Sequence, residues 1–359
     1  MIDLIGLSRE DLLAEMEAMG EKPFRVKQIW HWLYNKGVTD FSKMSTLAKP
    51  LQARLAEKYL ISRPQVITEK NSTDGTRKWL LRFADGKEVE TVYIPEEDRG
   101  AVCLSTQVGC QMGCRFCHTG TQGFQRNLTA GEIVGQFLAA RDSYGEWPTP
   151  VDETRYLSNI VVMGMGEPLN NYDQLVKAMR IIMDGEGLAI SKRRITVSTS
   201  GIADKIPNLA KDLGVRLAIS LHAPNDTIRN QIMPINRKYP LAVLINACKE
   251  YQRLCEHRQY ITMEYVMLKG INDSPENARE LIQLVKGLEV KFNLIPFNPW
   301  EGCVFEPSSN NTIHKFAKIL EDAYFAAPIR QSRGQDIMAA CGQLKSLYHR
   351  RQTPTDPHS

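Results

Sequence analysis

Three cysteines, Cys110, Cys114 and Cys117, stand within eight positions of one another in "VGCQMGCRFCHTG" (residues 108–120). Thiolates suit soft metals, chiefly zinc and iron–sulfur clusters. A closed structural zinc site takes four protein ligands. The C-x3-C-x2-C spacing supplies three, and His118 or Cys103 would have to complete the set. On a cubane of four irons, three thiolates leave one iron without a protein ligand. Such an iron can accept the amino and carboxylate groups of a small molecule and pass one electron into it. A second stretch, "GMGEP" (164–168), joins glycines that let backbone approach a ligand to a carboxylate, Glu167, able to accept hydrogen bonds from a cation.

The elements that must position these groups follow from the apolar pattern. At 359 residues, with 43% apolar and 24% charged residues, the chain has the composition of a globular protein larger than one simple core. Its net charge of +4 permits an anionic partner without demanding one. There is no apolar run of about 18 residues to span a membrane. The N-terminus mixes acids into its apolar residues and lacks a secretory pattern. Four of the eight cysteines crowd between 103 and 117 rather than spreading as a disulfide framework would. A reducing, cytoplasmic setting is expected.

Residues 1–60 read as a small helical module: "EKPFRVKQIWHWLYNKG" opens with Pro23, repeats apolar residues at helical spacing and stops at Gly37, and "LAKPLQARLAEKYL" follows. Residues 61–95, with turn signals "STDGT" and "ADGK", read as a hairpin linker. From residue 96 to 335 six apolar runs alternate with helical patterns: 101–107, 157–166, 194–201, 215–224, 260–270 and 290–299. Parallel neighbours require crossover helices, so this is an α/β core with a parallel sheet or partial barrel. Ligands bind beyond the carboxyl ends of such strands. That places Glu167, Ser198, Ser220, His222 and Asn298 at a candidate site. Residues 336–359 form a short C-terminal segment, expected to be disordered over its last few positions.

The cysteine motif, with Phe116 just before its last cysteine and a strand just before its first, resembles that of the radical S-adenosylmethionine (SAM) superfamily. "GMGEP" resembles that superfamily's Gly-Glu motif. The flanks "ETVYIPEEDRGAVCLSTQVGCQMGCRFCHTGTQGFQRNLTAGEI" and "RGQDIMAACGQL" resemble the RlmN/Cfr group of RNA (adenine) methyltransferases through most of the chain. The resemblance implies a partial (β/α)6 barrel and a [4Fe-4S] cluster on Cys110, Cys114 and Cys117. It implies SAM held by Gly166, Glu167, Ser198, Ser220, Leu221, His222 and Asn298. Cys341 matches the cysteine that one SAM methylates. A second SAM then yields the radical that activates this methyl toward an adenine carbon too electron-poor to attack SAM itself. Glu90 matches the proton acceptor, and Cys103 the thiol that forms a transient disulfide with Cys341. The implied partners are 23S rRNA, tRNA and a one-electron reductase of the flavodoxin type, and the enzyme is expected to be a monomer. The basic helices, with Arg25, Lys27, Lys36, Lys43 and Lys49, and the C-terminal Arg330, Arg333, Lys345, Arg350 and Arg351 are expected to grip phosphates.

Two other readings stand beside the expected methylation of adenine C2. One is methylation at C8 of the same base, which uses the same cysteines. The other is a non-catalytic iron–sulfur or zinc protein that binds RNA, in which Cys341 is ordinary packing. Cys248 and Cys255 are expected to be structural thiols, and Cys303 has no assigned role.

Overall fold

The computed structural model describes residues 1–97, 99–149, 155–256 and 259–345. Nine strands form one sheet: β1 (Gln65–Asn71), β2 (Arg77–Arg82), β3 (Glu88–Pro95), β4 (Gly100–Cys103), β5 (Asn159–Val162), β6 (Ile195–Thr199), β7 (Arg216–Ser220), β8 (Ile261–Met267) and β9 (Val290–Pro296). Their order across the sheet is their order along the chain. β4 to β9 are all parallel, each joined to the next through a helix. The Val, Ile and Leu that made these runs legible are buried on both faces, as parallel strands under helices require. This is the expected half-barrel of six strands, closed on its outside by helices such as Ala130–Tyr144, Tyr172–Met183 and Leu241–Leu254.

β1 to β4 run antiparallel. The expected two-stranded hairpin is therefore a three-stranded meander that continues the barrel sheet. β1 escaped notice because it is an edge strand whose residues are mostly exposed, so burial imposes no apolar alternation on it. The Leu81 and Trp79 side chains of β2 are buried and carry the meander's share of the core.

In the N-terminal module the two expected helices lie at Phe24–Trp30, continued by His31–Asn35, and Lys49–Lys58. A further helix, Arg9–Ala18, precedes them. Its start is fixed by a capping box in which Ser8 Oγ accepts from Asp11 N and Asp11 accepts from Ser8 N. The "SRED" signature was available in the sequence. One apolar core runs without a break from Leu4, Trp30 and Leu55 of the module into Ile160, Val197 and Phe292 of the barrel. Arg9 Nε to Asp184 Oδ2 (2.7 Å) and Trp30 Nε1 to Asp184 Oδ1 (3.1 Å) pin the module to the end of Tyr172–Met183. The short strand expected after the last barrel helix (Asn310–Asp322) is reduced to a single bridge between Ile329 and Leu294. Arg350, Arg351 and the final residues lie outside the described residues. Among the described residues no helix is long and apolar enough to cross a membrane.

Candidate active site at the mouth of the barrel

The cysteine loop leaves the sheet just after β4. A small antiparallel ribbon, Gln107–Gly109 with Phe124–Asn127, closes its base, and Cys110 N donates to Gly123 O (3.1 Å). Cys117 N donates to Cys114 O (3.1 Å). Cys110, Cys114 and Cys117 line one pocket at the carboxyl ends of the parallel strands, together with Gly166, Glu167, Ser198, Ser220 and His222. Burial pushes the Cys110 thiol up to about 12, and Cys114 well above its ordinary value. Thiols gathered at one pocket this way suit a soft metal centre, which takes them as thiolates. A larger hollow of about 700 Å3 lies at the opposite end of β6 to β9, lined by Lys192, Arg216, Tyr260 and Lys291. It contains none of the expected site residues.

The residues expected around SAM divide into two groups. Gly166, with φ of +100°, sits where a Cβ would come within 2.5 Å of the Gln107 side chain, so the motif needs glycine for both reasons. Glu167 N donates to Gln107 Oε1 (2.9 Å). Its buried carboxylate accepts from Ser200 N and Ser200 Oγ (both 2.7 Å) and from Leu169 N (3.0 Å). Burial raises its pKa, and these donors oppose the rise. His222 has φ of +57°, and its Nδ1 accepts from Val266 N (3.0 Å), fixing the tautomer. Burial, with Arg229 nearby, lowers its pKa to about 3, so the ring is neutral. Leu221 and Asn298 are not among the residues lining the pocket. Leu221 is fully buried and offers its carbonyl to Arg229, and Asn298 Oδ1 accepts from Gln335 Nε2 (2.8 Å) of the C-terminal segment.

The second constellation comes from sheet register. Val92 pairs with both Lys78 and Cys103, so these three form one row across β2, β3 and β4. Side chains directly opposite share a face, and so do positions two apart along a strand. Lys78, Glu90 and Cys103 therefore lie on the same face. The C-terminal segment is laid across it. Lys78 Nζ reaches Glu90 Oε1 (2.8 Å) and Met338 O (2.9 Å), and Lys345 N donates to Glu90 Oε2 (2.7 Å). On the other side His118 N donates to Gly342 O (2.7 Å) and Thr119 Oγ1 to Leu344 O (2.7 Å). Cys341 is exposed and faces the pocket that the three cysteines line. Burial pushes Cys103 up to about 12, and the charge of Cys341 adds to the rise. Both are free.

The turn between β1 and β2 holds the segment's other end. Asp74 Oδ2 accepts from Gly334 N (2.9 Å), and Ser72 Oγ donates to Asp336 Oδ1 (2.6 Å). Gly334 has φ of +62°, and a Cβ there would meet Thr76 Cγ2 at 2.8 Å. Burial works against ionisation of Asp74, but the donors from Gly334, Thr76 and Ser72 outweigh it and bring the carboxyl to about 2. A depressed carboxylate contributes above its ordinary pKa of 3.8, and that contribution is lost as pH falls toward 2. Asp74→Asn combined with Asp336→Asn should speed proteolytic cleavage within residues 331–345 by about fivefold for each kcal/mol of lost hydrogen bonding. Gel analysis should show the barrel fragment persisting. Unchanged cleavage would mean that these contacts do not hold the segment.

Several residues of the site had gone unread. Glu264 of β8 and Arg330 line the pocket beside Cys341. Burial raises the Glu264 pKa while Arg330 opposes the rise. A carboxylate inside the apolar run "ITMEYVM" was the available signal. Arg330 faces the pocket, where an outward phosphate contact had been expected. Of the module's basic residues, Lys27 pairs with Glu186 (2.6 Å) and Arg25 with Glu21 (3.5 Å), whereas Lys36, Lys43 and Lys49 are exposed. Cys248 is buried as expected, Cys255 is half-buried, and Cys303 packs with Cys114 and Phe116 in a small second cluster.

A parallel half-barrel with a three-thiol loop and a Gly-Glu turn at its mouth is the architecture of the radical SAM class. The Radical SAM superfamily model matches residues 104–282, and the model for the ribosomal RNA large subunit methyltransferase N-terminal domain matches residues 2–61. Over 345 residues the chain is 63% identical to a dual-specificity RNA methyltransferase RlmN of Rhodospirillum rubrum, covering 96% of this chain and 80% of that protein. With the protein of the same name from Gluconobacter oxydans it shares 59% identity over 360 residues, 99% of this chain and 88% of the other. The crystal structure of a radical SAM methyltransferase from Sphaerobacter thermophilus superposes with a TM-score of 0.89 at 43% identity, covering 96% of this chain and 99% of that one. The chain belongs to the RlmN family of radical SAM RNA methyltransferases.

Membership brings a [4Fe-4S] cluster and SAM as cofactors, and the donor set fits the cluster. Among the described residues no three His, Cys, Asp or Glu side chains converge as the ligands of a single metal ion do. Cys110, Cys114 and Cys117 are three soft donors lining one pocket, the kind of donor set that would hold such a cluster.

Proposed function

We propose that the enzyme methylates C2 of an adenine in the peptidyl-transferase centre of 23S rRNA, and of an adenine in certain tRNAs, through a methylated Cys341. The observation that carries this reading is the position of Cys341, exposed into the pocket that the three cluster cysteines line. Two RNA classes are supported by the dual specificity in the names of the relatives and by the match of residues 2–61.

When bound at the three thiols, the cluster supplies the one-electron chemistry that turns a second SAM into a hydrogen-abstracting radical. The remaining steps fall to the chain. The sulfur of Cys341 takes a methyl group from a first SAM by displacement, with S-adenosylhomocysteine leaving. Once the methyl carbon is activated, Cys341 links the protein to the adenine, which divides one difficult transfer into easier steps. Glu90 accepts the ring proton as the adduct gives up its odd electron, which the oxidised cluster would take back. The Cys103 thiolate then attacks the Cys341 sulfur, the carbon–sulfur bond breaks with its electron pair left on the carbon, and that carbon takes up a proton to become the methyl group. A thiol reductant reopens the disulfide before the next turnover. The shared sheet face of Glu90 and Cys103, under the segment that carries Cys341, supports both assignments. Glu90 is engaged by Lys78 and by the Lys345 amide, so the segment must lift for it to act.

The exposed Lys36, Lys43 and Lys49 supply phosphate contacts, so affinity for rRNA fragments should fall steeply with salt. Extruding the base takes about a few kcal/mol, which these contacts offset. A one-electron reductase of the flavodoxin type and a monomeric enzyme complete the proposal. The test is mass spectrometry of an rRNA fragment treated with anaerobically reconstituted enzyme, SAM and a reductant. The methyl group is expected on C2. A methyl on C8 would overturn the assignment in favour of the other group member.

A further inference from the structure

Arg229 is among the largest fully buried side chains of the protein, and it sits directly behind the cysteine loop. Its helix, Asp226–Ile232, packs against that loop: Arg115 N donates to Ile232 O (3.0 Å), and Met233, the next residue, lines the pocket with Cys114. The guanidinium is held by four hydrogen bonds. Nε donates to Leu221 O (3.0 Å), Nη1 to Asn236 Oδ1 (3.0 Å), and Nη2 to Ser200 O (2.7 Å) and Ser220 O (3.1 Å). Every one of these acceptors is neutral. A buried cation ordinarily has a carboxylate against it, because desolvation otherwise disfavours the charge. Here the nearby acid, Asp226, is exposed and acts on Arg229 from beyond Asn236, which is bonded to both: Arg229 Nη1 donates to Asn236 Oδ1, and Asn236 Nδ2 donates to Asp226 Oδ1 (2.8 Å). Among the described residues no carboxylate forms an ion pair with Arg229, whose fork is aimed at the carboxyl ends of β6 and β7. Ser200 and Ser220, whose carbonyls Arg229 binds, line the pocket together with Cys110, Cys114 and Cys117.

We infer that the missing counter-ion is the cluster, and that Arg229 raises the cluster's reduction potential. Three thiolates make the centre anionic, and reduction by one electron adds a further negative charge. A fixed cation in a dry site favours the more negative state, since cluster potentials follow net charge, hydrogen bonding and burial. The four hydrogen bonds serve the same end: they hold the charge still and prevent it from swinging to solvent. The inference rests on Cys110, Cys114 and Cys117 as the ligands.

The experiment is a redox titration of the anaerobically reconstituted full chain without SAM, with the reduced cluster read by electron paramagnetic resonance. In Arg229→Gln the ratio of reduced to oxidised cluster at a fixed ambient potential should fall at least tenfold, which is about 59 mV for one electron. Arg229→Lys, which keeps the charge and loses the fork, should stay near the wild-type value. A merely structural strut would affect the two variants alike, or leave the potential of whatever cluster assembles unchanged, and either result overturns the inference. Should Arg229→Gln fail to fold, Asn236→Asp places a carboxylate against the guanidinium without removing it, and should lower the ratio in the same direction. An unshifted or raised ratio there also overturns the inference. A wild-type protein that assembles no cubane signal would instead overturn the ligand assignment.

Discussion

Cys341→Ala is expected to abolish methyl transfer to RNA while leaving the fold, the cluster and RNA binding intact. The side chain is exposed, so its removal opens no cavity, and surface substitutions of this kind change stability by about 0.5 kcal/mol or less. The expected loss is at least a thousandfold in turnover, because no other thiol among the described residues occupies the pocket apart from the three cluster cysteines. Cys103→Ala should act differently. The buried thiol lies on β4, and without it the link between Cys341 and the adenine has no sulfur to resolve it. A protein–RNA crosslink should accumulate, visible as a slow band on a denaturing gel that disappears in the Cys103→Ala, Cys341→Ala double variant. Methyl transfer at the wild-type rate in Cys341→Ala would refute the proposed chemistry.

The second large effect is on stability. Lys78 and Glu90 form an ion pair in which both side chains are only 8% exposed. Breaking a buried pair by removing one partner typically destabilises by about 3–5 kcal/mol, since the remaining charge is stranded. Lys78→Met should therefore lower the denaturation midpoint sharply, and Lys78→Met with Glu90→Leu should be milder than the single change. The pH dependence fixes the sign. Burial already holds the Glu90 pKa above its ordinary 4.5, with Lys78 pulling it back. Without Lys78 the pKa rises further. Between the unfolded and folded values the folded chain binds the extra proton, so the variant should gain stability as pH falls and lose it as pH rises through that window. A deficit independent of pH would show that packing, and not charge, accounts for the loss.

Much of this was legible in the sequence where one physical constraint dominates. Strands buried on both faces must be apolar, so all six parallel runs stood out. The three thiols and the Gly-Glu turn are local motifs whose residue types leave few alternatives. The rest depends on contacts distant in sequence. Asn298 reads as a strand-end ligand, and only folding shows it bonded to Gln335. Lys78 reads as one more surface lysine until register places it beside Glu90. Arg229, in "DTIRNQI", carries no mark that distinguishes it from a solvated helix residue. β1 left no pattern because its residues are mostly exposed.

The segment from Gly334 to Lys345, bonded to the turn at Asp74, to Glu90 and to the loop at His118, leaves the ribosome after every strand of the sheet it is laid across. The half-barrel and its meander can assemble before that stretch emerges, since every strand of the sheet precedes it. A nascent polypeptide halted near residue 330 would therefore have every strand of its sheet but no Cys341, so on the proposed chemistry methyl transfer waits until that segment has emerged.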